Sequence, residues 1–253
     1  MIIGISGYSG SGKDTVGIII QYLKASTKLP LKVVLKSPKH HEWWLEERSG
    51  WQIKKWAGKL KVIASMLTGI PTEKFEDQEF KKSLLGPEWG TVSTNPLNSI
   101  EPFKDVQFNA LMSVREFLQK LGTSALRDGL HENAWINALM SDYNYDNSVD
   151  DQGKCIYCGS KCYKGEGCDE YNSFPEQSNW IITDTRFPNE AEAIKKAGGI
   201  IIRIERPGID PVNLHTSETS LDNWDFDHLV INDGSITDLT KKIKKVLKVS
   251  KML

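Results

Sequence analysis

Gly7, Gly10 and Gly12, followed at once by Lys13, are the residues whose types and spacing most restrict the chemistry open to this chain. From Gly7 to Lys13 they fit the pattern G-x-x-x-x-G-K. Glycine lets the backbone take positive φ and approach a ligand closely, so successive N–H groups can turn toward phosphate oxygens. Lys13 then offers a mobile point charge to the β- and γ-phosphates of a nucleotide. The next residue is Asp14, where the general pattern has Ser or Thr. Contact with a magnesium ion would therefore fall to the Asp14 carboxylate or the Thr15 hydroxyl, directly or through water. A glycine turn in an ordinary βα unit is the plainer alternative. No glycine register gives G-x-G-x-x-G, so a dinucleotide fingerprint fits worse.

A second polar cluster, Asp184, Arg186 and Glu190, follows the apolar run at 180–183. A carboxylate at the end of a strand can help to hold magnesium, and an arginine two residues on has a fork that grips phosphate at two points. A simple Asp–Arg turn pair is the alternative. Arg115 lies off an apolar helical stripe (Val114, Phe117, Leu118, Leu121, Ala125), beside a start marked by Ser113 and Glu116 in capping-box relation. Arginine there complements a bound anion better than it complements the helix dipole, although a solvated arginine satisfies the same pattern. Lys59 and Lys61 stand near the start of another helical segment and could meet a phosphate or only solvate a helix face.

Cys155, Cys158, Cys162 and Cys168 form C-x2-C-x3-C-x5-C in a glycine-rich stretch. Four thiolates so close match a closed, structural zinc site, against which stands a set of reduced cysteines without a metal. Zinc could fold a segment too short to hold a core of its own.

These groups need elements to position them. An apolar run at 2–5, the glycine turn, and a helical pattern through Val16, Ile19, Ile20 and Leu23 read as strand, loop and helix. Further strands are expected at 31–37, 180–183, 200–204 and 228–232, with helices across 57–68, 113–125, 187–197 and 236–247. The segment at 40–50, with its paired tryptophans, reads as a surface helix or partly buried loop. Residues 71–110, rich in proline, read as a loop-rich excursion with a charged helix-like patch at 76–82. Strands alternating with helices imply α/β with a parallel sheet, whose ligands lie outside the carboxyl ends of the strands.

The 253 residues carry 32 Lys and Arg against 33 Asp and Glu, which gives no global charge for a nucleic-acid polymer. No window approaches the about 18 apolar residues of a membrane span, and the chain opens on a core strand, so no membrane partner and a cytoplasmic location are expected. Cysteines confined to 155–168 suit a reducing compartment better than a disulfide framework.

Taken together these residues resemble the bacteriophage deoxynucleoside monophosphate kinases, within the P-loop nucleoside monophosphate kinase group. The resemblance is carried by Gly10-Ser11-Gly12-Lys13-Asp14-Thr15, Ala57-Gly58-x-Leu60-Lys61, Ser113-Val114-Arg115 leading to Leu121-Gly122-Thr123, Trp135, and Asp184-Thr185-Arg186 with Glu190. It continues through Arg206-Pro207-Gly208, His215-x-x-Glu218 and Val230-Ile231-x-Asp233-Gly234-Ser235. The cysteine insertion departs from the family pattern and falls where a lid would be.

The resemblance implies an α/β P-loop kinase three-layer sandwich with a five-stranded parallel sheet. A helical acceptor-binding excursion (38–140) and a small zinc-binding insertion carrying the four cysteines (142–178) would interrupt this single domain (1–253). It implies ATP-dependent, magnesium-assisted phosphorylation of deoxynucleoside 5'-monophosphates to diphosphates, supplying phage DNA replication in the host cytoplasm. Gly7, Gly10, Ser11, Gly12, Lys13, Asp14 and Thr15 would hold ATP. Lys61, Arg115, Gly122, Thr123, Trp135, Asp184, Arg186 and Glu190 would surround the monophosphate, with Lys13, Asp184 and Arg186 closest to the transfer. A homodimer stays open. So do a P-loop kinase for another small phosphorylated acceptor and a non-catalytic nucleotide- or zinc-dependent interaction protein. The absence of Asn-Lys-x-Asp speaks against a guanine-reading switch.

Overall fold

Five strands run parallel in one sheet, and their sequence order dictates where a ligand can sit. The computed structural model describes residues 1–94, 107–143, 179–209 and 219–253. The four cysteines, His215 and Glu218 lie outside these residues. In chain order the first unit contains β1 (Ile2–Ser6), α1 (Lys13–Ala25), α2 (Leu31–Lys36), α3 (Pro38–Ser49) and β2 (Trp51–Lys54). The second contains α4 (Gly58–Thr68), β3 (Thr91–Thr94), β4 (Gln107–Ala110) and α5 (Val114–Gln119). The chain continues through α6 (Ala134–Tyr143), β5 (Asn179–Ile182), α7 (Pro188–Lys196), β6 (Ile200–Glu205), β7 (His228–Ile231) and α8 (Ile236–Val249). By contacts, Met1–Trp56 with Ile136–Leu253 form one compact unit and Ala57–Trp135 the other.

The sheet order is β2-β5-β1-β6-β7, every neighbouring pair parallel. Side chains alternate across a strand, and the isoleucines obey this strictly. Ile3, Ile5, Ile181, Ile202 and Ile204 pack with Val16, Ile19 and Ile20 of α1 and Leu239, Ile243 and Leu247 of α8. Ile2, Ile182 and Ile201 pack with Ala191 and Ile194 of α7 and Ile136, Leu139 and Met140 of α6. Helices therefore cover both faces of the sheet, which is why its strands are apolar without alternation. Burying each isoleucine contributes about 1.5–3 kcal/mol relative to exposure.

From β1 the chain goes out to β2 at one edge, returns to β5 between them, and then crosses to β6 and β7 on the other side of β1. Parallel strands end together, so residues just after β1, β2, β5, β6 and β7 share one edge of the sheet. The first unit thus gathers 7–13, Lys55, Asp184, Arg206 and Asn232 along that edge.

The strand expected at 31–37 is a helix instead, and the sheet gains Trp51–Lys54 in its place. Val33 and Val34 suggest a strand locally, but Pro30 starts α2, and Val34 is buried with Ala25 of α1 and Leu45 of α3. Tertiary burial decides against β propensity here. The segment at 40–50 is helical, and its Trp44 ring lies 5.2 Å from the Arg48 guanidinium carbon.

In the second unit Ala64, Phe75, Leu85, Met112, Val114 and Phe117 form the core. The excursion after Pro71 is built of short 3₁₀ turns (Thr72–Glu76, Phe80–Lys82, Pro87–Trp89) and the antiparallel pair β3–β4, so the helix-like patch at 76–82 shrinks to single turns. Beyond α5 the helix widens into a π-helical stretch, Lys120–Asp128. No helix among the described residues is long and apolar enough to cross a membrane.

Candidate active site

β1 ends at Ser6, and the loop that follows turns on two glycines that no other residue could replace cheaply. Gly7 has φ 148°, and a Cβ there would stand 2.3 Å from the Ile204 carbonyl oxygen of the neighbouring strand. Gly12, with φ 101°, begins α1, and a Cβ would meet the Asn232 amide nitrogen at 2.8 Å. That nitrogen donates to the Ser11 carbonyl at 2.9 Å, so the end of β7 latches the loop. Ser11 is fully buried, and its hydroxyl has no hydrogen-bond partner among the described residues. The Arg206 guanidinium, just past β6, donates weakly to the Gly10 carbonyl at 3.4 Å.

Lys13 Nζ donates to the carbonyls of Gly7 and Tyr8 at 2.5 and 2.7 Å, closing the loop over its own backbone. Asp14 is exposed on the first turn of α1, where a negative charge is favoured by the helix dipole. Its carboxylate accepts from the Thr183 hydroxyl at 2.8 Å and pairs with Lys55 Nζ at 3.2 Å. Partial desolvation by the surrounding loop pushes the Asp14 carboxyl up, but Lys55, Thr183 and Lys13 together outweigh it and hold the carboxyl below its ordinary range. Thr15, next on α1, is half-buried.

Asp184 follows β5 closely. Its Oδ1 accepts from the Trp56 backbone N–H at 2.8 Å, tying the ends of β5 and β2 together. Glu190 is buried and accepts from the backbone N–H groups of Arg186 and Phe187 at 2.8 and 3.2 Å. It thereby fixes the turn that carries Arg186 at the start of α7. Thr183 connects the two clusters: its hydroxyl reaches Asp14 and its N–H reaches the Lys54 carbonyl at 3.3 Å. The first unit accordingly holds Thr183 against Asp14 at the start of α1, with Asp184, Arg186 and Glu190 following Thr183 in the turn into α7.

Lys61, Arg115, Gly122, Thr123 and Trp135 belong to the second unit. Lys61 is buried and ion-paired with Glu76, which is neither the solvated lysine nor the open phosphate ligand that its sequence position suggests. Arg115 is exposed, with a contact to the Gln78 amide oxygen at 3.4 Å. The Ser113 hydroxyl caps its helix by accepting from Glu116 N–H at 3.1 Å. Trp135 Nε1 donates to the Gly122 carbonyl at 2.9 Å, bracing the π-helical stretch, and Thr123 is exposed. No group of three or more His, Cys, Asp or Glu able to hold a metal occurs among the described residues.

Sequence comparison adds what geometry alone lacks. A family model for deoxynucleotide monophosphate kinase matches residues 160–243. The deoxynucleotide monophosphate kinase of Enterobacteria phage T4 is 26% identical over 273 residues, spanning 98% of this chain and 99% of that protein. The chain is similar to that kinase along nearly its whole length. The deoxynucleoside-5'-monophosphate kinase of Escherichia phage T5 is 24% identical over 217 residues, 78% of this chain and 72% of its own. The Escherichia phage RB69 deoxynucleotide monophosphate kinase is 26% identical over 140 residues, 55% of this chain and 47% of its own. The kinase-family match takes in Asp184, Arg186, Glu190 and Asn232, while the loop at 7–13 lies before it.

Sequence reasoning misses Lys55, Thr183 and Asn232 as parts of this site. Lys55 and Thr183 become visible only once β2 is placed beside β5. Asn232 reads in the sequence only as the end of the strand expected at 228–232.

Proposed function

We infer that this protein is a deoxynucleotide monophosphate kinase, moving the γ-phosphoryl group of ATP to the 5'-phosphate of a deoxynucleoside monophosphate. The observation that carries the reading is the Asp14–Thr183 hydrogen bond, which ties the first turn after the glycine loop to the residue before Asp184. Donor-phosphate and carboxylate machinery thereby share one edge of a parallel sheet, where α/β ligands bind.

The transferred phosphorus breaks its bond to the β–γ bridging oxygen of ATP and gains one to an oxygen of the acceptor phosphate, giving ADP and a deoxynucleoside diphosphate. Little covalent help is needed, so the residues act by position and charge. In this reading loop amides from Gly7 to Lys13, with Ser11 at their centre, cradle the donor phosphates. Lys13 exchanges the Gly7 and Tyr8 carbonyls for phosphate oxygens. Arg186, its backbone pinned by Glu190, bridges donor and acceptor. Arg115 and Lys61 grip the acceptor phosphate, Lys61 being drawn from Glu76, while Gly122, Thr123 and Trp135 shape the wall beside it.

Asp14 and Asp184 offer the hard oxygen ligands that magnesium takes. With Thr15 as the alternative to Asp14, they would hold the ion, whose charge would neutralise the donor phosphates. A structural zinc at Cys155, Cys158, Cys162 and Cys168 is proposed on cysteine spacing alone. The excursion through the second unit is assigned to the acceptor.

The test is a coupled ADP-release assay across the four deoxynucleoside monophosphates, their ribo counterparts and non-nucleotide phosphates. Turnover with deoxynucleotides supports the reading. Turnover confined to a non-nucleotide phosphate, or to none, removes it.

A further inference from the structure

One strand contains a residue that its packing does not call for. β6 reads IIIRIE, and among its isoleucines Arg203 is almost completely buried. Hydrophobic packing would have been satisfied by another apolar side chain, and a buried charge is costly unless it is paired and hydrogen-bonded. Arg203 is paired: it donates to Asp222 Oδ1 at 2.7 Å and to Ser6 Oγ at 3.3 Å, with Glu205 Oε1 at 3.9 Å. Ser6 is its register partner on β1 and the last residue before the glycine loop.

The guanidinium has a further contact, on the loop itself. Its central carbon lies 4.6 Å from the centre of the Tyr8 ring, with Phe226 at 5.5 Å. Arginine over an aromatic face is attracted by the ring quadrupole, most strongly where water is excluded. Burial raises the Tyr8 phenol pKa, and the hydrogen bond and charge of Asp222 raise it further against the opposing Arg203. The same Tyr8 holds the loop closed through its backbone. Its carbonyl accepts from Ser11 N–H at 3.1 Å and from Lys13 Nζ at 2.7 Å. A side chain fixed at one end and a carbonyl that organises the loop at the other make Tyr8 the link between the strand and the phosphate cradle.

We propose that Arg203, anchored by Asp222 and Ser6, is a positioning residue for the donor nucleotide, acting through the Tyr8 ring to keep the 7–13 loop shaped for ATP. This rests on the reading that the loop holds ATP. When Lys13 leaves the Gly7 and Tyr8 carbonyls for a phosphate, the loop loses two of its internal ties, and the Arg203–Tyr8 contact remains to help hold it.

The test compares full-length wild type with Tyr8→Leu, Tyr8→Phe and Arg203→Lys, the last keeping a positive charge beside Asp222 so that the fold is preserved. ATP affinity is measured by calorimetry, melting temperature on the same samples, and the KM for a deoxynucleoside monophosphate by turnover. Tyr8→Leu is expected to weaken ATP about tenfold, equivalent to about 1.4 kcal/mol, with the acceptor KM changed less than about twofold. Tyr8→Phe, which keeps the ring, should recover most of that loss. Arg203→Lys should add little to Tyr8→Leu in the double variant, because both break one contact. ATP affinity unchanged in Tyr8→Leu, equal losses in the Leu and Phe variants, or fully additive losses would each overturn the proposal. Wild type that binds ATP but transfers nothing would remove the kinase reading, and the affinities would still decide the Arg203 link. Wild type that does not bind ATP overturns both.

Discussion

Replacing Gly7 by alanine should damage this protein far more than the same change at Gly10, although both are loop glycines with positive φ. At Gly10, φ is 79° and an added Cβ would meet nothing within 4 Å among the described residues. The cost is then only conformational, about 1–2 kcal/mol for an L-residue in that region, partly offset by about 0.4–1 kcal/mol of lost unfolded-chain freedom. At Gly7, φ is 148°, a region that only glycine occupies readily, at about 1–3 kcal/mol for any other residue. Its Cβ would also stand 2.3 Å from the Ile204 carbonyl oxygen and 2.7 Å from Ser11 Oγ. The first of these is backbone inside the sheet and cannot swing away. Relief requires moving β1 from β6 or rebuilding the loop, so the total should exceed the upper end of that range, about 3 kcal/mol. For a chain of this size about 2–4 °C of melting temperature goes with each kcal/mol. Thermal unfolding should therefore place Gly10→Ala no more than about 6 °C below wild type, and Gly7→Ala clearly lower than Gly10→Ala. Equal melting temperatures for the two variants would refute the claim that Gly7 is fixed by the neighbouring strand.

Lys13→Ala and Arg186→Ala should each lose about 10²–10³ in kcat, the usual effect of removing a donor to developing charge, while melting as wild type; unimpaired turnover in either withdraws that residue's role. Asp227 accepts from Lys195 Nζ at 2.6 Å and from Ile201 N–H at 2.8 Å. Burial raises its pKa, but these two bonds and the charges of Lys195 and His228 outweigh burial and lower it overall. Its stabilising contribution is thus complete above the unfolded pKa of about 3.9 and fades as pH falls through the lower folded value. Urea midpoints should show wild type losing its advantage over Asp227→Asn below about pH 4, and a constant gap down to about pH 2 would count against it. Metal analysis should find about one zinc per chain, abolished when Cys155 and Cys158 are both replaced by serine; a metal-free wild type purified without chelator would remove the zinc proposal.

How much of this is legible in the sequence depends on whether the determining contacts are local. The glycine loop, α1 and the isoleucine strands can be read because their signals are periodic and contained in one segment. The α2 helix cannot, since Val34 is decided by Ala25 and Leu45, residues on other helices. Trp51–Lys54 is too short to announce itself, and with it Lys55 is lost as the partner of Asp14. Glu190 reads as an acid beside the monophosphate, whereas its buried carboxylate holds the backbone under Arg186. Arg203 gives no motif at all, because its meaning lies in Ser6, Tyr8 and Asp222 meeting across the fold.

The central claim is that the γ-phosphoryl group of ATP ends on a deoxynucleoside monophosphate. Incubating the full chain with ATP labelled at the γ-phosphorus and each deoxynucleoside monophosphate, then separating the products, tests it directly. The label should appear in a deoxynucleoside diphosphate, in step with ADP. Label found only in inorganic phosphate, or remaining in ATP with every acceptor, would contradict it.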